Sequence, residues 1–78
     1  MNPNEVYEEK SQFVRSELSR MLNAATHGVV TGLSYTREGA IEYVTVDTPT
    51  VMFNVNVTAD SLWAIAKDVT RAVDEHFM

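Results

Sequence analysis

The chain predicts an α+β fold of two layers in the order α-β-β-β-α, a three-stranded antiparallel meander with both helices packed on one face. Three observations carry this. Apolar residues recur at three- and four-residue steps as far as Ala25, at two-residue steps from Val29 to Val57, and at helical steps again from Leu62. Gly28, "REG" and "DTPT" fall where the period changes or the chain must reverse. In "TPTVMFNVNVT", Val51, Phe53, Val55 and Val57 take one side of an extended chain and Met52, Asn54, Asn56 and Thr58 the other, which is a strand with one buried face.

The first helix is expected to open at "NPNE". Asn2 is placed as N-cap, Pro3 at the first helical position, where its missing N–H costs nothing, and Glu5 as capping-box partner. Val6, Tyr7, Phe13, Val14, Leu18, Met21, Leu22 and Ala25 form its apolar stripe, and Gly28 is expected at the left-handed position that ends it. The strands are read at "VVTGLSYT", "AIEYVTV" and "VMFNVNV", all rich in β-branched and aromatic residues. Thr58 or Asp60 is expected to cap the last helix, with Leu62, Ile65, Ala66, Val69, Ala72, Val73, His76 and Phe77 as its stripe. There is no linker, repeat or low-complexity segment, so residues 1–78 read as one domain.

Loop parity fixes which strand residues share a face. A four-residue loop from Asp47 to Thr50 pairs Val46 with Val51 and Val44 with Phe53, which makes Val44, Val46, Val51, Phe53, Val55 and Val57 the core face. For the first hairpin, a two-residue turn at Glu38-Gly39 would place Leu33 and Tyr35 on that face as well. A type I turn with Gly39 in a G1 bulge suits "TREGA" better, because glutamate resists the positive φ of a type I′ turn. The bulge sends Leu33 and Tyr35 to the far face with Ile41, Tyr43 and Met52, a patch too apolar to leave in water.

The chemistry-bearing residues have structural explanations. His27 beside Gly28 reads as a helix-end residue, and His76 lies on the apolar stripe near the chain end. Glu5, Glu8 and Glu9 match the dipole of a helix start. No spacing marks a nucleophilic triad, a cofactor loop or a metal site, so no catalytic, cofactor-binding or metal-ligating residue is assigned and the chain is expected not to be an enzyme. The formal charge of -5 and the single spacing of Lys10, Arg15, Arg20, Arg37, Lys67 and Arg71 argue against binding nucleic acid or an anionic membrane. "MNPNEVYEEK" lacks the order of a signal peptide and no apolar run reaches 18 residues, so the cytoplasm is the expected compartment.

The element order is also that of the double-stranded RNA-binding domain. "TADSLWAIAKD" lacks that module's basic cluster and "TREG" lacks its Gly-Pro-x-His-like loop, so no family is assigned.

A core of this size, with no cysteine for a disulfide and only His27 and His76 for a metal, is short of staples. Association with a second copy supplies one. The chain is therefore expected to be a small protein–protein interaction protein, an accessory protein of bacteria or their phages, and a homodimer meeting through sheet faces or strand edges. Leu33, Tyr35, Ile41, Tyr43, Met52 and Asn54 are its expected interface residues. Trp63, one position off the helical stripe, is expected at the margin of the core as a further anchor. A second reading is an acidic inhibitor that occupies a basic nucleic-acid-binding site on a partner, from the charge and the Glu5, Glu8 and Glu9 cluster.

Overall fold

A computed structural model of the chain describes residues 3–77. Helix α1 (Pro3–Gln12) runs into a π-helical turn (Phe13–Leu18) and on into α2 (Ser19–Ala25), followed by β1 (Gly32–Glu38), β2 (Ile41–Asp47), β3 (Met52–Asn56) and α3 (Leu62–Phe77). The strands form an antiparallel sheet in the order β1-β2-β3, so the expected α+β meander is the observed one. The expected N-cap Asn2 lies outside the described residues.

The π turn has a cause in the spacing. Val14, Leu18 and Leu22 are buried and stand four residues apart, and half-buried Val6 and Lys10 extend the same spacing backwards. At 3.6 residues per turn such a row drifts about 40° around an α-helix at every step. A turn with i→i+5 bonds takes up more residues and brings the row back over the sheet. The Ser19 N–H accordingly reaches the Val14 carbonyl, five residues back.

The helix ends in a Schellman motif. The Gly28 N–H reaches the Asn23 carbonyl at 2.8 Å and the His27 N–H that of Ala24 at 3.2 Å. The left-handed C′ position belongs to His27 (φ 53) rather than to Gly28, which follows it, also at positive φ. Histidine is among the side chains enriched there. The Thr26 hydroxyl donates to Leu22 O (2.6 Å) and accepts from Val30 N–H (3.0 Å), which turns the chain toward the sheet.

Both hairpins differ in register from expectation. β1 pairs Leu33 with Val46 and Tyr35 with Val44, and the loop is Gly39-Ala40. Gly39 alone has positive φ (62), the pattern of a type II′ turn with glycine first, so neither the G1 bulge nor the Glu38-Gly39 turn forms. Leu33 and Tyr35 are consequently buried on the core face, and the far-face placement expected for them is overturned. β3 pairs Phe53 with Val46 and Val55 with Val44, two residues from the expected register, which leaves the strand side chains on their expected faces, while Val51, expected on the core face, falls in the loop and outside the core cluster. The slide puts Pro49 at the first central position of a tight loop, where proline is favoured, and Thr48 closes it: its N–H donates to Val51 O (3.0 Å) and its hydroxyl accepts from Val51 N–H (3.0 Å).

Ser61, not Thr58 or Asp60, caps α3, its hydroxyl accepting from the Ala64 N–H at 3.2 Å. The core is a single cluster of Val14, Leu18 and Leu22 from the first helix, Val30, Leu33, Tyr35, Val44, Val46 and Val57 from the sheet and its flanks, and Ile65, Val69 and Val73 from α3. Phe53 and Val55 pack against it, whereas the opposite sheet face has no buried residue.

Gly39→Ala is expected to cost about 1 kcal/mol in urea unfolding, because alanine resists positive φ. Glu38→Gly is expected to bring no gain, since Glu38 is ordinary strand. Stabilisation by Glu38→Gly would contradict this turn.

Candidate functional site

Glu42 shares the buried face of β2 with Val44 and Val46, where a carboxylate must find donors. It finds three. Oε1 accepts from Lys10 Nζ at 2.7 Å and from the Tyr35 hydroxyl, and Oε2 accepts from the Ala59 N–H at 2.9 Å. Burial would raise the Glu42 pKa, but these donors outweigh it and hold the carboxyl at about 2. Burial and the bond to Glu42 push the Tyr35 hydroxyl up, so it stays a donor. Ala59 has φ 63 at the third position of a turn closed by Asp60 N–H to Val57 O (3.0 Å), a position that favours glycine, and its bond to Glu42 holds it there.

Asp60 follows. Its Oδ2 is enclosed with no donor in reach, and the Asp68 carboxyl lies beside it. Burial first, then the hydrogen bond to Asp68 and its charge, push Asp60 up to about 6; Glu42 adds to the rise and Lys10 opposes it. The two carboxyls satisfy each other when they share a proton. Among the described residues no group of three His, Cys, Asp or Glu could hold a metal. The cluster ties elements together: α1 through Lys10, β1 through Tyr35, and the approach to α3 through Ala59.

The residues expected at an interface divide between three places. Leu33 and Tyr35 belong to the core. Ile41 and Met52 are exposed on the far sheet face with Asn54, while Tyr43 is half-buried and donates to Glu38 Oε1 at 3.2 Å. Ile41 opens β2 and Met52 pairs with Asp47 at its other end, about 20 Å away at strand rise. Thr45 donating to Asn54 at 2.8 Å lies between them, so the far face has no continuous apolar patch. Trp63 is on neither surface. It stands out from α3 with 77% of its surface exposed, far beyond the core margin expected for it.

Its neighbours identify a better site. Met21, Trp63, Ala66, Lys67, Thr70, Arg71 and Asp74 line one hollow between the helices. Leu22, Ala25, Val29, Val73 and Phe77, again with Thr70 and Asp74, line a cavity of about 500 Å³ that continues it. Met21 and Trp63 thus stand at one end of this groove and Val29 and Phe77 at the other, leaving only Tyr7, Ile41 and Met52 as large apolar residues exposed elsewhere among those described. Small side chains, Ala25 on α2 and Ala66 and Thr70 on α3, leave the groove open. His27 and His76 take structural places: His27 in the helix end, and His76 stacked on Phe53 with ring centroids 4.5 Å apart. Glu5, Glu8 and Glu9 are exposed along α1. In sequence the groove was hidden because Met21, Val29 and Phe77 each fit an apolar stripe or strand; Trp63, off its stripe, was the one visible signal.

No helix is long and apolar enough to cross a membrane among the described residues. No protein-family model matches the chain, and neither does any curated protein or solved structure.

The Asp60–Asp68 pair sets a pH dependence. The folded state holds the Asp60 proton to about pH 6 and the unfolded chain releases it near 3.8, so this pair's contribution to stability falls as pH rises through that window. Asp60→Asn is expected to raise the urea midpoint at pH 7 and leave it little changed at pH 3.5, since the amide can donate to Asp68 without a shared proton. Equal effects at both pH values would contradict the pairing.

Proposed function

We propose that this chain is a non-enzymatic, cytoplasmic protein–protein interaction protein that works as a homodimer through the groove between α2 and α3. The observation that carries the reading is the placement of Met21 and Trp63 at one end and Val29 and Phe77 at the other end of adjoining hollows between α2 and α3, with Trp63 at 77% exposure. A tryptophan left in water beside an apolar cavity is the composition of an interface anchor, and tryptophan is enriched among residues that dominate binding energy. The rim of Lys67, Arg71 and Asp74 gives the groove the polar border of such surfaces. The need for a staple in a small, cysteine-free core supports a second copy as the occupant.

Light scattering from micromolar to millimolar concentration tests this. The wild type is expected at twice the 8.8 kDa chain mass, Trp63→Ala at the monomer mass, and Tyr43→Glu, altered on the far sheet face, as a dimer. A wild-type monomer throughout would refute the dimer, and dissociation by Tyr43→Glu would return the interface to the sheet.

A further inference from the structure

We infer that the two copies pack α3 against α3 in antiparallel orientation about a two-fold axis beside Thr70, so that Trp63 of each copy enters the α2–α3 cavity of the other. The inference rests on the homodimer reading above and goes past it by fixing orientation and register.

It starts from the outer side of α3. Trp63, Ala66, Lys67, Thr70, Asp74 and Phe77 follow one another at one-, three- and four-residue steps and lie along one side of the helix, bordering the groove. Trp63 and Phe77 each stand seven residues from Thr70, about 10 Å along the axis in opposite directions. A half-turn about Thr70 therefore carries Trp63 to the level of the partner's Phe77. There the cavity lined by Leu22, Ala25, Val29 and Val73 is open to receive an indole. By symmetry the reverse insertion occurs at the other end, as an isologous contact requires.

Charge selects this orientation. The same half-turn brings Lys67 to within one residue of the level of the partner's Asp74, and Asp74 likewise to the partner's Lys67, two attractive pairs at the rim; Arg71, one residue from the axis, meets the partner's Arg71 in either orientation and does not choose between them. A parallel arrangement of the two helices would set Lys67 on Lys67 and Asp74 on Asp74, which is repulsive at both levels. At the centre, Ala66 and Thr70 are short enough for the two helix axes to approach closely. Apart from the Arg71 pair, the rim is complementary to itself in charge, and the open cavity matches the protruding indole in shape, which favours a second copy over an unrelated partner.

Sedimentation equilibrium on charge-reversal variants tests the register. All the altered side chains are exposed, so circular dichroism should report an unchanged fold. Lys67→Asp and Asp74→Lys, each alone, are expected to weaken the dimer about tenfold or more, because each places like charges in contact twice. The double variant Lys67→Asp with Asp74→Lys exchanges the pair and should return the dissociation constant to near that of the wild type. A dimer indifferent to the single reversals, or a double variant as weak as the singles, would overturn this register and leave the homodimer itself standing. A wild type that is monomeric at every concentration would remove both.

Discussion

A carboxylate sits on the buried side of a three-stranded sheet and has to be met. Glu42 lies in line with Val44 and Val46, among the most enclosed side chains of the protein, and an unmatched charge in that position would outweigh much of what a core this small contributes. Its donors come from a lysine on α1, a tyrosine on β1 and a backbone N–H in the turn before α3. Four separate stretches of chain are thereby brought to one end of the sheet. Ala59 accepts a left-handed conformation there, and Tyr35 is held with its ring in the core and its hydroxyl on the carboxylate. A buried pair of this kind is weak evidence for stability, but breaking it by removing one partner is costly, so its effect is to specify one arrangement over others.

The far end of α3 is held differently. His76 stacks on Phe53, whose strand neighbour is Val46, so α3 is fixed to β3 near its C-terminus by aromatic contact and at its N-terminus by the turn that Glu42 holds. The first helix lies over β1, its π turn keeping Val14, Leu18 and Leu22 pointed at the sheet. With one helix on each edge strand and β2 beneath both, the space between α2 and α3 is closed only where side chains are long enough to span it. Alanine and threonine border that space, and a groove remains. The open site is in this sense a result of how the helices are anchored elsewhere.

Much of this was legible in the sequence. The change of period from helix to strand and back gave the element order, and strand alternation gave the core face of β2 and β3, because a slip of two residues leaves parity intact. The first hairpin was misread because Gly39 can serve either a bulge or a type II′ turn, and what decides between them is the burial of Leu33 and Tyr35 under the first helix, a tertiary effect. The π turn was not legible, since Val14, Leu18 and Leu22 also fit the ordinary three- and four-residue stripe of a continuous helix. Glu42 was detectable, as a lone charge at core parity. The groove was not, since an apolar stripe tells which residues avoid water and not whether a neighbouring helix comes close enough to cover them.

Trp63 is the only tryptophan in the chain, and so its fluorescence reports on the groove alone. A dilution series followed by emission wavelength reads directly whether that side chain is covered by another copy. If the groove is the dimer contact, emission is blue-shifted at high concentration and moves to the red of a solvated indole on dilution, along the same curve as the loss of mass in light scattering. Emission that stays red while the protein is dimeric would place the contact away from α3, and the groove would not be the working surface of this protein.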